Sequence, residues 1–578
     1  MKITSALCLL AAAPTAVEAC TAIAVGSKAT ADGSVMVTHS DDGEGTSDAR
    51  VSYIPARDYA AGATRSIWPD LEDYPRFVGT SRGDTYLPKD GQAETQAIGS
   101  IPQVAHTYAY FEGNYGMQNE HQVGIGESTC SAVFGSVARG QPNGTALLSV
   151  NELSRLALER AATSRDAVKL MGGLAEQHGF YGPGTFEGSG ETLLVSDTTE
   201  AFVMHFLPDP TGKSAVWVAQ RVPDENVTVV SNMFTIRDVD ESDSHNFLGS
   251  FSTMKDIAVA HGLWDGVGLL DFTHTFSDGE YAHQYYSGRR MWGAFRLLKP
   301  SLSLNATYDF LKNATNPHPV AGWTHTYPWS VTPDAPVTPA SLVAIHRDHY
   351  DGTPYSTTKG IAAGAYGSPD RYATLGTPVD IATGSKGAWE RTIGLYRTTY
   401  TWVVQSRGWL PNAIGGTTWF GMCDADKTVF QPMYVAAGDV HPSMKVGDAL
   451  DLDRTSLYWT HRYLQNLVQM RYDDMMHDGN INVRTAQATA ENAGLAVQAA
   501  LDQRGAAASA AEIRERQFAN GQKVVDTWWK LADQLMIKWA DGYKTTVGAI
   551  GVPQGYDAEW LNVTGFHDGP HRIDSDHP

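Results

Sequence analysis

The feature that most constrains this chain is a cysteine placed directly after an export segment. Lys2 gives the N-terminus a positive charge, and residues 6–13 form a short apolar run. Val17 and Ala19 are small residues at the two positions that a signal peptidase reads. The apolar run is too short to span a bilayer as a mature helix. We therefore expect cleavage after Ala19, which makes Cys20 the first residue of the mature chain.

The residues that follow this cleavage site have the pattern of a β-hairpin. Residues 20–26 and 34–40 alternate apolar side chains with small or polar ones, as strands do. Between them, residues 27–33 are polar and end in Asp-Gly, which is typical of a turn. The mature chain is therefore predicted to begin inside a sheet.

The register of this hairpin decides which side chains lie next to Cys20. If Val25 pairs with Val35, the branched side chains of the two strands share one face. The same register sets Cys20 opposite Ser40, with Asp41 one step further along the chain. Because directly opposed residues have Cβ atoms about 5 Å apart, we expect the new N-terminus and Asp41 to be neighbours.

Composition and charge argue against several classes of protein. The chain has 578 residues, 42% of them hydrophobic, which is enough for a large core. Its formal charge of -21 argues against a nucleic-acid partner, because neutralising phosphates requires a basic face. Beyond the export segment we find no apolar stretch long enough to cross a membrane. The oligomeric state stays open, and a homo-oligomer is compatible with the sequence.

Cysteines are too few for a disulfide framework, although the predicted route is an oxidising one. Cys8 is removed with the export segment, and Cys20 opens the mature chain. The sequence leaves open whether Cys130 and Cys423 bond to each other or are separate buried residues.

Five Asn-x-Thr sites favour a eukaryotic secretory route behind the export segment. They are at Asn143, Asn226, Asn305, Asn313 and Asn562. We expect a glycoprotein that is secreted or delivered to a lysosome-like or vacuole-like compartment. The sequence does not separate these destinations.

Strand patterns and helix patterns occupy different parts of the chain. Further strands are predicted at 104–111, 193–197, 201–206 and 227–231, helices at 151–163, 164–178 and 290–300, and strands with long loops over 320–440. Residues 456–545 are rich in helix formers with apolar recurrence at three and four. This segregation predicts an α+β class, with a main domain over 20–455, a helical segment over 456–545 and a tail over 546–578.

An N-terminal cysteine has a chemistry of its own. Its α-amine has a reference pKa of about 7.7–8.0, so this amine can take the thiol proton during attack on a carbonyl. The reaction also needs an acceptor that orients the amine and donors that bind the oxyanion, roles that suit Asp41 and an Asn amide. Two other interpretations of Cys20 stay open: a lipoprotein site, although Glu18 does not fit that pattern, and an ordinary strand residue.

The sequence also resembles a known family. ACTAIAVGSKATADGSVMVTHSDD is similar to the start of the cysteine dipeptidases of the dipeptidase A and secernin type, which are N-terminal-nucleophile hydrolases. The resemblance continues through YGMQNEHQVGIGEST, ETLLVSDTTEAFVMHF, RVPDENVTVVSNMFTIRDVD, HRDHYDGTPY, AAGAYGSPDR and ERTIGLYRTTYTWVVQSR. In order and spacing these blocks cover about 20–445. The resemblance implies a four-layer αββα sandwich, with the helical C-terminal segment packed on it.

The resemblance also implies roles for three residues. Cys20 matches the nucleophile of the family. Asp41 matches the aspartate that holds the catalytic amine, and Asn232, in VVSNMF, matches the asparagine that stabilises the oxyanion.

Two arginines of the acylase relatives differ in how well this chain matches them. Penicillin and bile-salt acylase relatives have an arginine where this chain has Thr38, which argues against acylase specificity. Those relatives also use a later arginine, for which Arg290 is the match, with Arg289 and Arg296 as rivals. A structural role for this cation is an open alternative.

Four residues are candidates for substrate binding. Asn119 and Glu120 lie before a strand-like run and could meet a substrate amine, although an Asn-containing turn explains them equally well. Arg347 or Asp348 could bind a dipeptide terminus, because an arginine fork suits a carboxylate. The His and Asp residues of 346–351 are only a weak metal pattern, so we expect no metal and no cofactor.

The most direct interpretation is hydrolysis of short peptides, with dipeptides as substrates, through an acyl-enzyme on Cys20. A second interpretation keeps the chemistry and changes the substrate to another N-acyl amide. A third is a secreted glycoprotein that keeps the fold and binds without catalysis, since fold does not fix function.

Overall fold

The computed structural model describes residues 20–43, 45–89, 91–184, 188–279, 286–306, 327–371 and 390–565. The predicted export segment, Asn313 and residues 566–578 of the predicted tail lie outside these ranges. Among the described residues, no helix has both the length and the apolar character needed to cross a bilayer.

Twenty β-strands lie in the described part of the chain. They are β1 Ala22–Val25, β2 Val35–Asp41, β3 Ser52–Ile54, β4 Arg57–Asp58, β5 Thr64–Ile67, β6 Gly99–Pro102, β7 His106–Thr107, β8 Tyr110–Glu112, β9 Gly116–Asn119, β10 Gly124–Cys130, β11 Gly190–Ser196, β12 Ala201–Pro208, β13 Ala215–Arg221, β14 Val227–Val230, β15 Phe247–Gly249, β16 Tyr400–Ser406, β17 Gly416–Met422, β18 Gln431–Met433, β19 Tyr543–Thr546 and β20 Ala549–Pro553.

The same ranges contain twelve α-helices. They are α1 Val150–Arg160, α2 Ser164–His178, α3 Phe251–Ala260, α4 Phe272–Phe276, α5 Ser287–Leu298, α6 Pro339–His346, α7 Asn412–Gly415, α8 Leu457–Val468, α9 Tyr472–His477, α10 Val483–Arg504, α11 Ala510–Lys538 and α12 Ala558–Val563.

Two antiparallel sheets contain most of the strands. The six-stranded sheet has the order β14-β1-β2-β16-β17-β18, and the eight-stranded sheet has the order β15-β13-β12-β11-β10-β9-β8-β3. β1 and β2 therefore lie in the interior of the first sheet, with a neighbouring strand on each side. Cys20 lies two residues before β1, at the end of a central strand.

The predicted hairpin forms, but its predicted register is wrong by one residue. Val25 pairs with Met36 and Ala24 with Val37, instead of Val25 with Val35. The prediction failed because it assumed one buried face, whereas every residue of both strands is buried. The turn itself is as expected: Gly33 has φ +87°, and Asp32 Oδ1 accepts a hydrogen bond from Ser34 N at 3.0 Å.

Three apolar clusters place helices and sheets against each other. Alanines and valines of β1 and β2 share one cluster with Leu194 and Val203 of the eight-stranded sheet. The opposite face of the eight-stranded sheet packs on α1 and α2, and the opposite face of the six-stranded sheet packs on α5 and α6. The fold is therefore α+β, built from antiparallel sheets and helices.

The predicted helices are largely confirmed. α2 covers the predicted range 164–178, since the Thr163 hydroxyl accepts a hydrogen bond from Asp166 N and Gly179, with φ +77°, ends the helix. α1 and α5 overlap the ranges predicted at 151–163 and 290–300. The helical C-terminal region is present as α8 to α11, and Trp528 and Leu464 share a cluster with Phe420 of β17.

Two parts of the chain differ from the prediction. The strand predicted over 104–111 is split into β7 and β8, because Tyr108 N donates to Glu159 O and Ala109 N donates to the Glu120 carboxylate. The region 320–440, predicted to hold strands and long loops, also contains α6, which begins at a capping box of Thr338 and Ser341. Cys130 and Cys423 are both buried and free, so they do not form a disulfide.

Candidate active site

Cys20 lies between the ends of several strands and is completely buried. The bridge between Thr21 and Ser40 continues the β1–β2 register, and one further step sets Cys20 opposite Asp41. The Cys20 carbonyl oxygen accepts hydrogen bonds from Arg290 Nη1 at 2.6 Å and from Ser128 Oγ at 3.4 Å. The backbone at the start of the predicted mature chain is thus held by side chains from α5 and β10.

Asp41 ends β2 and is also completely buried. Its Oδ2 accepts a hydrogen bond from Asn114 Nδ2 at 2.7 Å, and the Asn114 backbone N–H donates to the Tyr400 hydroxyl at 2.9 Å. Burial and then the negative charge of Asp41 hold the pKa of Tyr400 well above its usual range. Tyr400 therefore stays protonated and can donate its hydroxyl hydrogen to the Asp41 carboxylate.

Asn232 follows β14 in a left-handed conformation, with φ +57°. Its backbone N–H donates to Ser128 Oγ at 2.8 Å and its carbonyl accepts from Ser287 Oγ at 3.1 Å, which together hold this uncommon conformation. The side-chain Nδ2 donates to Thr129 O at 2.6 Å. An amide nitrogen carries two hydrogens, so the second can serve an oxyanion.

Arg290, on α5, joins Asn232 to the chain start. Its Nη1 donates to the carbonyl of Cys20 and to Thr21 Oγ1 at 3.0 Å, and its Nη2 donates to Asn232 Oδ1 at 2.6 Å. Burial, and then the charge of Arg391, lower the pKa of Arg290 to about 10, so the guanidinium is charged at neutral pH. The amide oxygen of Asn232 is therefore fixed, and the amide nitrogen points away from the cation.

The rival arginines have other partners. Arg289 pairs with Glu390 at 2.9 Å and stacks on Tyr355, and Arg296 pairs with Asp348 at 2.7 Å. Arg290, by contrast, hydrogen-bonds the backbone of Cys20.

Glu127, on β10, is a buried carboxyl group beside Cys20 that the sequence did not single out. Its carboxyl group accepts from Thr129 Oγ1 at 2.8 Å and shares hydrogen bonds with the Glu191 side chain and the Cys20 thiol. Burial raises the pKa of Glu127 from 4.5 to about 7. Burial therefore favours the protonated form of the Glu127 carboxyl group.

His39 completes a set of metal-ligand types. Its Nδ1 lies 2.9 Å from Glu127 O, and burial lowers the pKa of His39 to about 4, so the ring is neutral at physiological pH. Cys20 Sγ, a His39 nitrogen and a Glu127 oxygen lie within 4.8 Å of one another. Thiolate, imidazole and carboxylate are ligands that suit zinc. The expectation that no metal is needed stays a prediction.

Thr38 and the 346–351 motif have structural contacts. Thr38 Oγ1 accepts a hydrogen bond from Ile23 N at 3.0 Å and shares another with His346 Nε2 at 2.8 Å. Burial lowers the pKa of His346 to about 3. In the described ranges, the residues of 346–351 do not come together as a group of three metal ligands.

The candidate substrate-binding residues lie in local networks of their own. Asn119 donates to the carbonyls of Leu158 and Ala161, and its Oδ1 accepts from the backbone of the β9–β10 turn. Glu120 binds the Ala109 backbone N–H at 2.9 Å. None of these hydrogen bonds involves the groups around Cys20, and they agree with the turn alternative.

Arg347 joins two parts of the fold instead of lining the group around Cys20. It pairs with Glu491 of α10 at 2.6 Å and donates to the carbonyls of Ala425 and Thr428. A guanidinium with these partners explains the residue as a structural link. Its predicted contact with a substrate carboxylate stays untested.

A comparison with known proteins identifies the family to which this chain belongs. Residues 19–484 match the sequence model described as Peptidase family C69. The chain belongs to peptidase family C69. Membership makes it a hydrolase that acts on peptide bonds, and the resemblance stated from the sequence is confirmed.

Relatives of this C69 peptidase match over most of their own length. It is 24% identical to a probable dipeptidase of Salmonella dublin, covering 72% of this chain and 81% of the relative. It is 23% identical to dipeptidase A of Lactobacillus helveticus, covering 90% and 96%, and 24% identical to a dipeptidase of Bifidobacterium longum, covering 78% and 77%. The similarity therefore extends beyond the first strands.

Sequence reasoning missed Glu127, Asn114 and Tyr400 in this C69 peptidase for an identifiable reason. Glu127 is in β10, Asn114 is in the turn between β8 and β9, and Tyr400 is in β16, so no spacing in the sequence indicates that they lie close to Cys20 and Asp41. One local pattern was available for Glu127: it is a carboxylate inside the apolar and glycine-rich strand GIGES. A charge in such a strand needs a partner or a function.

The glycosylation sites differ in exposure. Asn143, Asn305 and Asn562 are exposed, whereas Asn226 is half-buried and donates through Nδ2 to Ser330 Oγ at 2.8 Å. Asn313 lies outside the described residues.

Proposed function

We propose that this chain is a dipeptidase whose nucleophile is the thiol of Cys20, with the α-amine of the same residue as general base. The observation that carries the proposal is the register that sets buried Cys20 opposite Asp41, directly after the predicted cleavage site. The names of the C69 relatives support dipeptides as the substrate class.

The first half of the reaction forms an acyl-enzyme. The amine takes the thiol proton, Sγ forms a bond to the peptide carbonyl carbon, and the carbonyl oxygen gains negative charge. Asn232 Nδ2 is the proposed donor to that oxyanion. The carbon–nitrogen bond then breaks, and the amine returns the proton to the leaving amino acid.

The second half repeats these steps with water. The amine takes a proton from water, the hydroxide oxygen attacks the thioester carbon, and the carbon–sulfur bond breaks. The proton passes to the thiolate, so the first amino acid of the substrate leaves with its new carboxyl group. Asp41 orients the amine in both halves, and Arg290 positions Asn232 and the chain start.

The same proposal requires removal of residues 1–19, because any residue left before Cys20 converts the base into an amide. A secretory route, with delivery outside the cell or to a lysosome-like compartment, supplies the signal peptidase. Three exposed acceptor sites, at Asn143, Asn305 and Asn562, are compatible with glycosylation on that route.

We further propose that the fold is the four-layer αββα sandwich of the N-terminal-nucleophile hydrolases. The two facing antiparallel sheets with α1 and α2 on one outer face and α5 and α6 on the other support this. In this proposal residues 20–455 form the hydrolase domain, and the helices of 456–545 pack on one end of the six-stranded sheet.

Replacement of the nucleophile tests the activity. Cys20→Ala, made in the secreted and trimmed protein, is expected to lower dipeptide hydrolysis at least about 1,000-fold while the melting temperature stays near that of the wild type. Cys423→Ala is the matched control, since this thiol is buried near Tyr458 O and burial raises its pKa to about 11. Dipeptidase activity retained by folded Cys20→Ala contradicts the proposal.

A further inference from the structure

Three side chains at the start of the predicted mature chain are of the types that bind zinc. Cys20 Sγ, a ring nitrogen of His39 and a carboxylate oxygen of Glu127 lie within 4.8 Å of one another, and all three residues are completely buried. They come from three segments, because Cys20 precedes β1, His39 is in β2 and Glu127 is in β10. Among the described residues, no other His, Cys, Asp or Glu side chains form such a group.

A tetrahedral zinc ion takes four ligands, and removal of residues 1–19 supplies the fourth. An N-terminal cysteine carries its amine and its thiol on neighbouring carbons, so both atoms can bind one metal ion in a five-membered ring. While Ala19 is attached, the nitrogen of Cys20 belongs to an amide and has no lone pair to give. Trimming therefore adds a ligand atom that is tethered next to Sγ.

We propose that the trimmed chain binds one Zn²⁺ ion through the α-amine and thiolate of Cys20, His39 and Glu127, and that this ion inhibits the enzyme. The inhibition rests on the proposed function, because the ion takes both the nucleophile and its base. Zinc forms a bond to Sγ, the S–H bond breaks, and the thiol proton passes to the solvent. Nothing is oxidised or reduced, and a chelator reverses the step.

The distances agree with a tetrahedral site. Zinc–sulfur bonds of about 2.3 Å and zinc–nitrogen or zinc–oxygen bonds of about 2.0–2.2 Å place the ligand atoms about 3.3–3.8 Å apart. The three side-chain atoms lie within 4.8 Å of one another without a metal ion. Movements of about 1 Å therefore bring them to the separations that zinc requires.

The ring of His39 can bind a metal while it keeps its contact with the backbone. Its Nδ1 lies 2.9 Å from Glu127 O, and its buried Nε2 has no hydrogen-bond partner among the described residues. A zinc-bound histidine commonly donates its other ring N–H to a backbone carbonyl or a carboxylate. The strands are also in close contact here, since a Cβ on Gly126 would lie 2.4 Å from Thr38 O.

The charges around this group favour a divalent cation. Within the described ranges, no lysine or arginine forms an ion pair with Glu127. Asp41 and Glu191 are completely buried beside it. A thiolate and a carboxylate balance the charge of one Zn²⁺ ion, so the occupied site is neutral. Sulfur and nitrogen ligands select Zn²⁺ over Mg²⁺ and Ca²⁺, which prefer oxygen.

The first test measures zinc affinity directly, by competition with a chromogenic zinc chelator. Trimmed wild-type protein is expected to bind one equivalent with a Kd of about 1 µM or lower. A chain that starts at Ala19 has the same side chains and lacks only the free amine of Cys20. It is expected to bind zinc at least about tenfold more weakly. Equal affinity of the two chains overturns the inference.

Variants of the trimmed chain test the side-chain ligands. His39→Gln and Glu127→Gln are each expected to weaken zinc binding at least about tenfold. His461→Gln is the matched control, because His461 is a buried histidine of α8 that lies outside this group. Wild-type affinity in folded His39→Gln or folded Glu127→Gln overturns the proposed ligand set.

Cobalt reports the sulfur ligand without a ligand variant. Co²⁺ bound to the trimmed wild type is expected to give the strong visible bands of a tetrahedral complex and a thiolate charge-transfer band in the near ultraviolet. Absence of the thiolate band overturns the inference.

Activity separates this inference from the proposed function. Zinc is expected to inhibit dipeptide hydrolysis by the trimmed wild type with an inhibition constant equal to its Kd, and EDTA is expected to restore the rate. Hydrolysis that continues while zinc is bound overturns the inhibition and leaves the dipeptidase intact. A trimmed chain that binds zinc and hydrolyses no dipeptide, with zinc removed, overturns the proposed function and leaves the metal site intact.

Discussion

At the residue scale, the site combines a few fixed side chains with one that can change its protonation state. Asn232 and Arg290 are held by hydrogen bonds that do not depend on pH between 5 and 9, because the pKa of Arg290 is about 10. Asp41 is held by the uncharged groups of Asn114 and Tyr400. Glu127 is different, since burial raises its pKa to about 7.

The pKa of Glu127 predicts how stability depends on pH. The folded carboxyl group titrates at about 7 and the unfolded one near 4.5, so the folded state binds the extra proton between these values. Stability from this group is present below about pH 4.5 and is lost as pH rises to 7. Glu127→Gln, which cannot ionise, is therefore expected to be more stable than the wild type by up to about 3 kcal/mol at pH 8 and equal to it at pH 4.

Urea unfolding at both pH values measures this difference. Glu176→Gln is the control, because the Glu176 side chain is exposed and Trp217 Nε1, which hydrogen-bonds it, is a neutral donor. A Glu127→Gln variant that is less stable than the wild type at pH 8 contradicts the raised pKa.

At the element scale, the site depends on how closely β2 and β10 approach. A Cβ on Gly126 of β10 would lie 2.4 Å from the carbonyl oxygen of Thr38, so only glycine fits there. This contact brings Glu127 next to His39 and the chain start. The two sheets are thus positioned at the site by a residue without a side chain.

Gly126→Ala is expected to destabilise the protein by about 2 kcal/mol or more and to lower peptide hydrolysis, because the sheets must separate locally. Gly173→Ala is the matched control, since a Cβ on Gly173 of α2 meets nothing within 4 Å. That change is expected to stabilise by about 0.5–1 kcal/mol. Chemical unfolding of both variants checks the pair, and a neutral Gly126→Ala would contradict the close approach.

The helices and strands also show which parts of the fold could be predicted from the sequence. Local patterns specified α2 and the hairpin turn, because Thr163, Gly179 and Gly33 act within a few residues. The register of β1 and β2 could not be read locally, since both faces are buried and alternation no longer distinguishes them. The cleavage pattern and the predicted hairpin pointed to Cys20 and Asp41, and the family resemblance added Asn232. Glu127 required the three-dimensional pairing of β10 with β11.

At the scale of the whole molecule, the C-terminal helices are built into the body of the fold. Trp528 of α11 is completely buried in a cluster that also contains Phe420 and Met433 of the six-stranded sheet. Arg347, which follows the last residue of α6, adds an ion pair with Glu491 of α10 at 2.6 Å. A shared core of this kind favours a single cooperative transition.

Trp528→Ala is expected to lower the free energy of unfolding by about 3–5 kcal/mol and to move one thermal transition as a whole. Trp529→Ala, its half-buried neighbour, is the control and is expected to cost less than half as much. Differential scanning calorimetry checks both variants. A separate early transition in Trp528→Ala, with the main transition unmoved, would show that the helices fold as an independent unit.

The central claim is that Cys20 acts as an N-terminal nucleophile, and the N-terminal residue of the mature secreted protein tests it most directly. Peptide mass mapping of that protein is expected to find a chain that starts at Cys20 with a free α-amine. A chain that starts at another residue, or a Cys20 whose amine is blocked or lipidated, would remove the proposed base and contradict the mechanism.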